Sequence, residues 1–283
     1  MKKLIYILFF SFAVSSCTDS YHEYKVVPLP DEMNTVYLKD ALRYLSLTVA
    51  ERNVINASFT EQDISTPVLL TFPKEGMRVL IIKDNRYMTQ TVNIVSAYNG
   101  IDIYKAKNLK MIDTDLFTFP VNPYFHKIYT RIRKDIIHNL NKHYSIRINA
   151  LGSASVYATM LGIEMSALEI PLESIVNFGP ARFATQTTHD QIKQSFGNRL
   201  ISITHIDDIS HKMHMGGKYA EHIIGEYTVC ANTRCHDATY ILEEFPLRKL
   251  TEHISNFPHT YAEMYHDSIL YMEEDEHRRE AMQ

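Results

Sequence analysis

The chain has 283 residues, 45% hydrophobic and 22% charged, with a formal net charge of −4. That balance suits a folded protein with a substantial core and excludes an intrinsically disordered chain. Lysine and arginine are scattered and outnumbered by acids, which excludes a nucleic-acid binder built on a basic face, and three cysteines are too few for a disulfide scaffold.

Met1, Lys2 and Lys3 form a short positive region, and residues 4–14 are an apolar run of signal-peptide length, too short to span a bilayer. Ser15 and Ser16 supply small residues for cleavage, so residues 1–16 read as an export signal. Val14-Ser15-Ser16-Cys17 is also similar to a bacterial lipobox, in which Cys17 carries a lipid. Secretion and anchoring through Cys17 in a bacterial envelope are both open. No later apolar run is long enough for a transmembrane helix. Residues 17–76 read as an N-terminal lead-in and a helix belonging to the same domain as residues 77–260. The lead-in is irregular and contains prolines. Residues 38–53 have helical spacing, with Leu42, Tyr44, Leu45 and Val49 on one stripe. Asn56-Ala57-Ser58 is a glycosylation sequon for a eukaryotic host.

Residues 68–72 and 77–82 are β-like runs. Residues 124–143 form an amphipathic helix pattern, with Phe125, Ile128, Ile132, Ile136 and Leu140 on its apolar face. A buried strand comes next at 145–149, then a helix over 151–168. In that helix Ala154, Ala158 and Gly162 recur every four residues, which lets a helix approach a sheet closely. Residues 174–179 and 200–204 are further strands. Strands alternating with helices indicate an α/β domain over 77–260, followed by a charged tail at 261–283. Cys230 and Cys235 lie five positions apart. In an oxidising compartment they would close a small disulfide loop, worth about 2 kcal/mol by loop entropy. A metal site is the weaker reading, because only two thiols are present there and His236 adjoins Cys235 directly. His205, His211 and His214 form a cluster by count but lack a fixed acidic partner. No metal or other cofactor is expected.

Residues 144–154 carry the main clue to function. They read as a strand, a sharp turn and a helix start, the context in which an α/β-hydrolase places its nucleophile. Leu151, Gly152 and Ala154 match the Gly-His-Ser-Leu-Gly-Gly-Ala box of class 3 (fungal-type) lipases, which this segment resembles. Ile148 stands at the first Gly of the box, Asn149 at its His, Ala150 at its nucleophilic Ser, and Ser153 at its second-to-last Gly. Other segments are similar in consistent order. Residues 79–86 resemble the strand that ends in Phe-Arg-Gly-Ser/Thr, which puts Asn85 at the oxyanion-hole position. Residues 121–125 resemble Val-His-x-Gly-Phe, and 176–182 resemble Thr-Phe-Gly-x-Pro-Arg. Residues 203–209 are similar to Thr-His-x-Asn-Asp-Ile-Val, which makes Asp208 the triad acid. Tyr219 with His222, and Glu226-Tyr227, resemble Tyr-x-His-x-x-x-Glu-Tyr. Residues 252–257 are similar to Asp-His-Leu-x-Tyr-Phe, which makes His253 the triad base.

The resemblance implies an α/β-hydrolase-like fold, a mostly parallel central sheet flanked by helices. It implies a site of Ala150, Asp208 and His253 with oxyanion donors at Asn85 and Leu151. Read without the resemblance, Asp207 and Asp208 suit a helix N-cap and His253 a surface histidine. Residues 88–94 stand in the place of the family's lid but contain no tryptophan. A methyl group cannot attack an ester, so three readings are carried forward. The first is a secreted pseudolipase that keeps the acyl-lipid cleft and binds lipid, a lipid–water interface or a protein partner. The second is an active ester hydrolase in which another group, such as Ser153 or water, works with the Asp208–His253 dyad. The third is a scaffold used only for interaction.

Overall fold

The computed structural model describes residues 23–25, 35–60, 63–97, 102, 105–106, 109–181, 183–205, 227–229, 239–241, 265–267 and 269. The elements in chain order are β1 (Glu23–Lys25), α1 (Thr35–Val49), α2 (Arg52–Ser58), β2 (Ile64–Phe72), β3 (Met77–Asp84), β4 (Thr89–Ser96), β5 (Ile112–Thr114) and β6 (Phe117–Val121). Then come α3 (Pro123–His138), β7 (Ser145–Leu151), α4 (Ala154–Ala167), β8 (Leu172–Phe178), α5 (Gln186–Phe196), β9 (Leu200–His205), β10 (Tyr227–Val229) and β11 (Thr239–Ile241). Seven strands form one sheet in the order β10-β9-β8-β7-β4-β3-β2. β10, β9, β8, β7 and β4 are mutually parallel, and β3 and β2 add antiparallel strands at one edge.

Alternation along each strand sorts the core into two layers. Val79, Ile81, Val92, Ile94, Ile146, Ile148, Ala150 and Ile175 face α3 and α4. Val95, Leu151, Val176, Phe178 and Ile203 face α1, Tyr265 and Ile269. α3 is amphipathic and begins at Asn122, whose side chain accepts the Tyr124 N–H, with Pro123 in the first turn. α4 is buried almost all round, as expected of a helix apolar on every side. The small-residue spacing on α4 has the packing role expected of it at Gly162. A Cβ there would collide with Ile175 Cδ1 of β8.

Buried ionic and polar groups tie the layers together. Glu164 of α4 accepts from Tyr129 OH at 2.6 Å and from Arg133 Nε at 2.7 Å, with a second, short bond from the other guanidinium arm, so α3 and α4 are clamped. Arg78 of β3 donates to Val49 O at 2.6 Å and Ala50 O at 2.7 Å, closing the C-terminus of α1.

Several sequence expectations are corrected here. The helix expected over 38–53 stops at Val49 and a separate short helix occupies Arg52–Ser58. Residues 88–94 are not a lid: from Thr89 onward they form β4, a central and almost fully buried strand between β3 and β7. α5 and the β5–β6 hairpin are not anticipated by any pattern in the sequence. The export segment 1–16, Cys17, Cys230, Cys235 and the end of the tail lie outside the described residues. No described helix is long and apolar enough to cross a membrane.

Candidate active site at the carboxyl end of the sheet

In an open α/β sheet, ligands approach the carboxyl ends of the parallel strands. That end is reached here at Ser96 of β4, Leu151 of β7, Phe178 of β8 and His205 of β9. β7 leaves the sheet through a two-residue bend, Gly152-Ser153, and α4 starts at Ala154. Gly152 holds the left-handed φ of the bend, +62°, while Ser153 is already helical at φ −62°, ψ −19°. The bend is pinned from the side. Gly152 N–H donates to Phe178 O at 2.8 Å, Gly179 N–H donates to Ile203 O at 2.8 Å, and Ser155 Oγ accepts the Ala181 N–H at 3.2 Å.

A buried carboxylate lies beside the bend. Asp102 Oδ2 accepts from Ser96 Oγ at 2.6 Å and from Ser153 Oγ at 3.2 Å, and Oδ1 accepts from Tyr124 OH at 2.7 Å. Burial pushes the Asp102 carboxyl above its ordinary range, against the pull of these three donors and of Lys105. Burial, and then the hydrogen bond to Asp102, push the Tyr124 phenol up. Tyr157 lies near the same carboxylate on α4. Burial pushes its phenol up too, and its OH has no hydrogen-bond partner among the described residues. The cluster keeps the end of β4, the start of α3 and the first turn of α4 in one geometry.

Ala150 is a strand residue. It pairs with Ile94 and Asn177, and its methyl is wholly buried in the core layer under α3 and α4. Leu151, the expected second oxyanion donor, is the last residue of β7, with its side chain in the opposite core layer. Asn149 sits in a polar ladder across the sheet. Tyr37 OH donates to Asn149 Oδ1 at 3.3 Å, Asn149 Nδ2 to Asn93 Oδ1 at 2.9 Å, and Asn93 Nδ2 to Leu80 O at 3.1 Å. Burial pushes the Tyr37 phenol up to about 12.

Asn85 is placed at the wrong end for an oxyanion donor. It lies in the exposed turn between β3 and β4, where Tyr144 OH donates to its Oδ1 at 2.9 Å. β4 starts at Thr89 opposite Ser145, and the bend lies beyond Leu151. Seven strand residues at roughly 3.3 Å each put Asn85 about 20 Å from Gly152. The physical reason is that β3 runs antiparallel to β4, so its carboxyl end faces the amino ends of the parallel strands. The strand whose carboxyl end adjoins the bend is β4, and its terminal polar side chain is Ser96.

Asp207, Asp208, His211, His214, His222, Glu226 and His253 lie outside the described residues. His205 is described: it ends β9, is buried, and its backbone N–H donates to Tyr265 OH at 2.8 Å. Sequence reasoning overlooked Asp102, Ser96 and Tyr124. The Val-Asn-Pro-Tyr-Phe segment flagged only the position of the helix, and nothing local marks Asp102 as buried.

No protein-family model matches the chain, and no curated protein matches it. Solved structures do. The Lip2 lipase of Yarrowia lipolytica superposes with a TM-score of 0.59 at 11% identity, over 79% of this chain and 88% of that one. A lipase of Rhizopus microsporus var. chinensis gives 0.55 at 14% identity, over 82% and 92%. The triacylglyceride lipase of Rhizomucor miehei gives 0.56 at 10% identity, over 80% and 92%. At these identities the likeness is one of fold. The mostly parallel sheet, the helices on both faces and the strand–bend–helix at β7 give this chain the α/β-hydrolase fold of the fungal lipases.

Proposed function

We infer that this chain is a degenerate relative of the class 3 lipases, exported from the cell, that binds acyl lipid or a lipid–water interface without cleaving it. One observation carries the reading: the strand–bend–helix segment offers no nucleophile. Ala150 has a methyl, Gly152 has no side chain, and the Ser153 hydroxyl is wholly buried against Asp102, out of reach of a substrate. Loss of a triad nucleophile costs about six decades of turnover in a serine protease, or roughly 8 kcal/mol of barrier. Hydrogen bonding elsewhere in the site does not make up a deficit of that size. Asp208 and His253 would remain as a dyad with no hydroxyl to activate. In this reading Cys230 and Cys235 form a disulfide of the exported protein, and the alternative of a lipid on Cys17 also keeps it at a membrane surface.

Two assays test this. Purified protein is sedimented with phosphatidylcholine vesicles and with triolein emulsion, and bound protein is expected in both. Hydrolysis of p-nitrophenyl butyrate is measured for the unmodified chain and for His253→Ala, and both are expected at the buffer rate. A rate well above buffer that disappears in His253→Ala overturns the inactivity. Absence from both lipid fractions removes lipid binding.

A further inference from the structure

We propose that the nucleophile station of this fold is occupied by Gly152, not by Ala150, so the ancestral reactive atom was lost as an entire side chain. The inference rests on the reading of the chain as a degenerate hydrolase. An elbow nucleophile sits at the strained bend itself, between the last strand residue and the first helical turn. Here that residue is Gly152. It alone in the segment has a left-handed φ, +62°, while Ala150 is still paired on both sides within the sheet. A side chain at 150 points sideways into the layer under α3 and α4, among Ile94, Ile148 and Ala154. A hydroxyl there would be buried in the hydrocarbon layer, not presented at the bend.

The flanking residues agree. An elbow needs small residues two positions before and two positions after the nucleophile, because strand and helix pass close together there. Around Gly152 those positions are Ala150 and Ala154, both fully buried. Around Ala150 they would be Ile148 and Gly152, and a β-branched residue is a poor choice for such a crossing. With the station at 152, Ser153 is the residue after the nucleophile, whose backbone N–H lines the oxyanion pocket in this fold. Its side chain is turned aside to Asp102. Because it is also wholly buried, the Ser153 hydroxyl is assigned a structural role and not that of a substitute nucleophile.

The test compares Gly152→Ser with Ala150→Ser, each treated with a fluorophosphonate probe at pH 8. Labelling requires the serine oxygen to bond to phosphorus as fluoride leaves and the hydroxyl proton passes to a base, which the proposed function takes to be His253. Gly152→Ser is expected to label at least tenfold faster than Ala150→Ser, and to fall to background when His253→Ala is added. Faster labelling of Ala150→Ser overturns the assignment, and so does labelling of neither variant above the unmodified chain. Labelling of the unmodified chain would instead count against the inactivity proposed above. Should Gly152→Ser fail to fold, the unmodified protein is irradiated with a palmitate ester that carries a diazirine in its alcohol portion. Carbene insertion mapped to Gly152 or Ser153 supports the assignment, and insertion only elsewhere overturns it.

Discussion

Replacing Asp102 by alanine tests whether the carboxylate holds the site end of the sheet together. It is 1% exposed and accepts from three hydroxyls. Charge-assisted hydrogen bonds contribute about 1.5–3 kcal/mol each. Those figures are already net of the exchange with water, and the desolvation cost that removal of the carboxylate returns keeps the sum at its low end. Tyr124 is only half-buried and can turn to water, so its loss is small. Ser96 and Ser153 are fully buried and lose a charged acceptor. The balance is a destabilisation of about 3 kcal/mol, which at about 2–4 °C per kcal/mol for a domain of this size is roughly 6–12 °C in Tm. The assay is thermal denaturation followed by circular dichroism at pH 7. A Tm within about 1 °C of the parent would refute the reasoning. Asp102→Asn adds a pH test. Burial raises the folded pKa of Asp102, so between the unfolded value of about 3.9 and the higher folded value the native state binds the extra proton. The contribution of that proton to stability is full below the unfolded value and is lost as pH rises through the folded one. The parent should therefore lose Tm relative to Asp102→Asn as pH rises from about 4. Parallel Tm–pH curves for the two proteins would refute the sign.

The packing leads to three further outcomes. Glu164→Ala removes the acceptor shared by Tyr129 and Arg133; because Arg133 is 24% exposed and can reach water, the loss should be about 3 kcal/mol rather than the full value for a broken buried pair, read by urea denaturation. Gly162→Ala drives a methyl into Ile175 Cδ1; an overpacking cost of about 1–3 kcal/mol, less about 1 kcal/mol of helix propensity gained, leaves a net loss of up to about 2 kcal/mol, with part of it recovered in Gly162→Ala/Ile175→Val, where the opposing atom is gone; thermal denaturation of the two variants reads both. Arg78→Met keeps the alkyl stem but frees Val49 O and Ala50 O; about 1–2 kcal/mol of stability should go, with faster amide exchange confined to the last turn of α1.

Strong periodicity was legible in the sequence where one physical cause dominated. The apolar stripe of α3 and the Asn-Pro start at 122–123 locate that helix within a residue at its N-terminus. The buried strands at β7, β8 and β9 stand out as short apolar runs between turn residues. β4 was illegible because its Thr89, Gln90, Thr91 and Asn93 look polar and loop-like. Their burial depends on long-range partners, such as Asn149 for Asn93 and Asn139 O for Gln90 Nε2. With residues 88–94 assigned to a lid, the resemblance of residues 79–86 to the family's Phe-Arg-Gly-Ser/Thr strand puts the oxyanion position on β3, one strand away from β4. Asp102 was illegible for the same reason. Its three donors come from positions 96, 124 and 153, and no local pattern joins them.

The bend at β7 shows how identity and geometry can select different registers of one motif. Leu151-Gly152 is identical to the Leu-Gly of the lipase box, and that identity draws the nucleophile position onto Ala150. Geometry asks a different question: which residue can adopt a positive φ at the end of the strand? For L-residues that conformation costs about 1–3 kcal/mol, and for glycine almost nothing. Once no nucleophile has to be held, selection for the strained serine disappears, and glycine relieves the strain at the bend. Moving the register by two residues also turns an inexplicable Ile148 into an ordinary core residue of β7, packed in the layer under α3 and α4. On this account the chain has kept the bend, its small flanking residues and the neighbouring carboxylate cluster because they hold the sheet end together. In the proposed reading, the side chain missing from the bend is the one that did chemistry. Gly152→Ser should therefore lower Tm by a few degrees relative to the parent, in proportion to about 1 kcal/mol of restored strain. A Gly152→Ser protein more stable than the parent would mean that the bend never carried that strain.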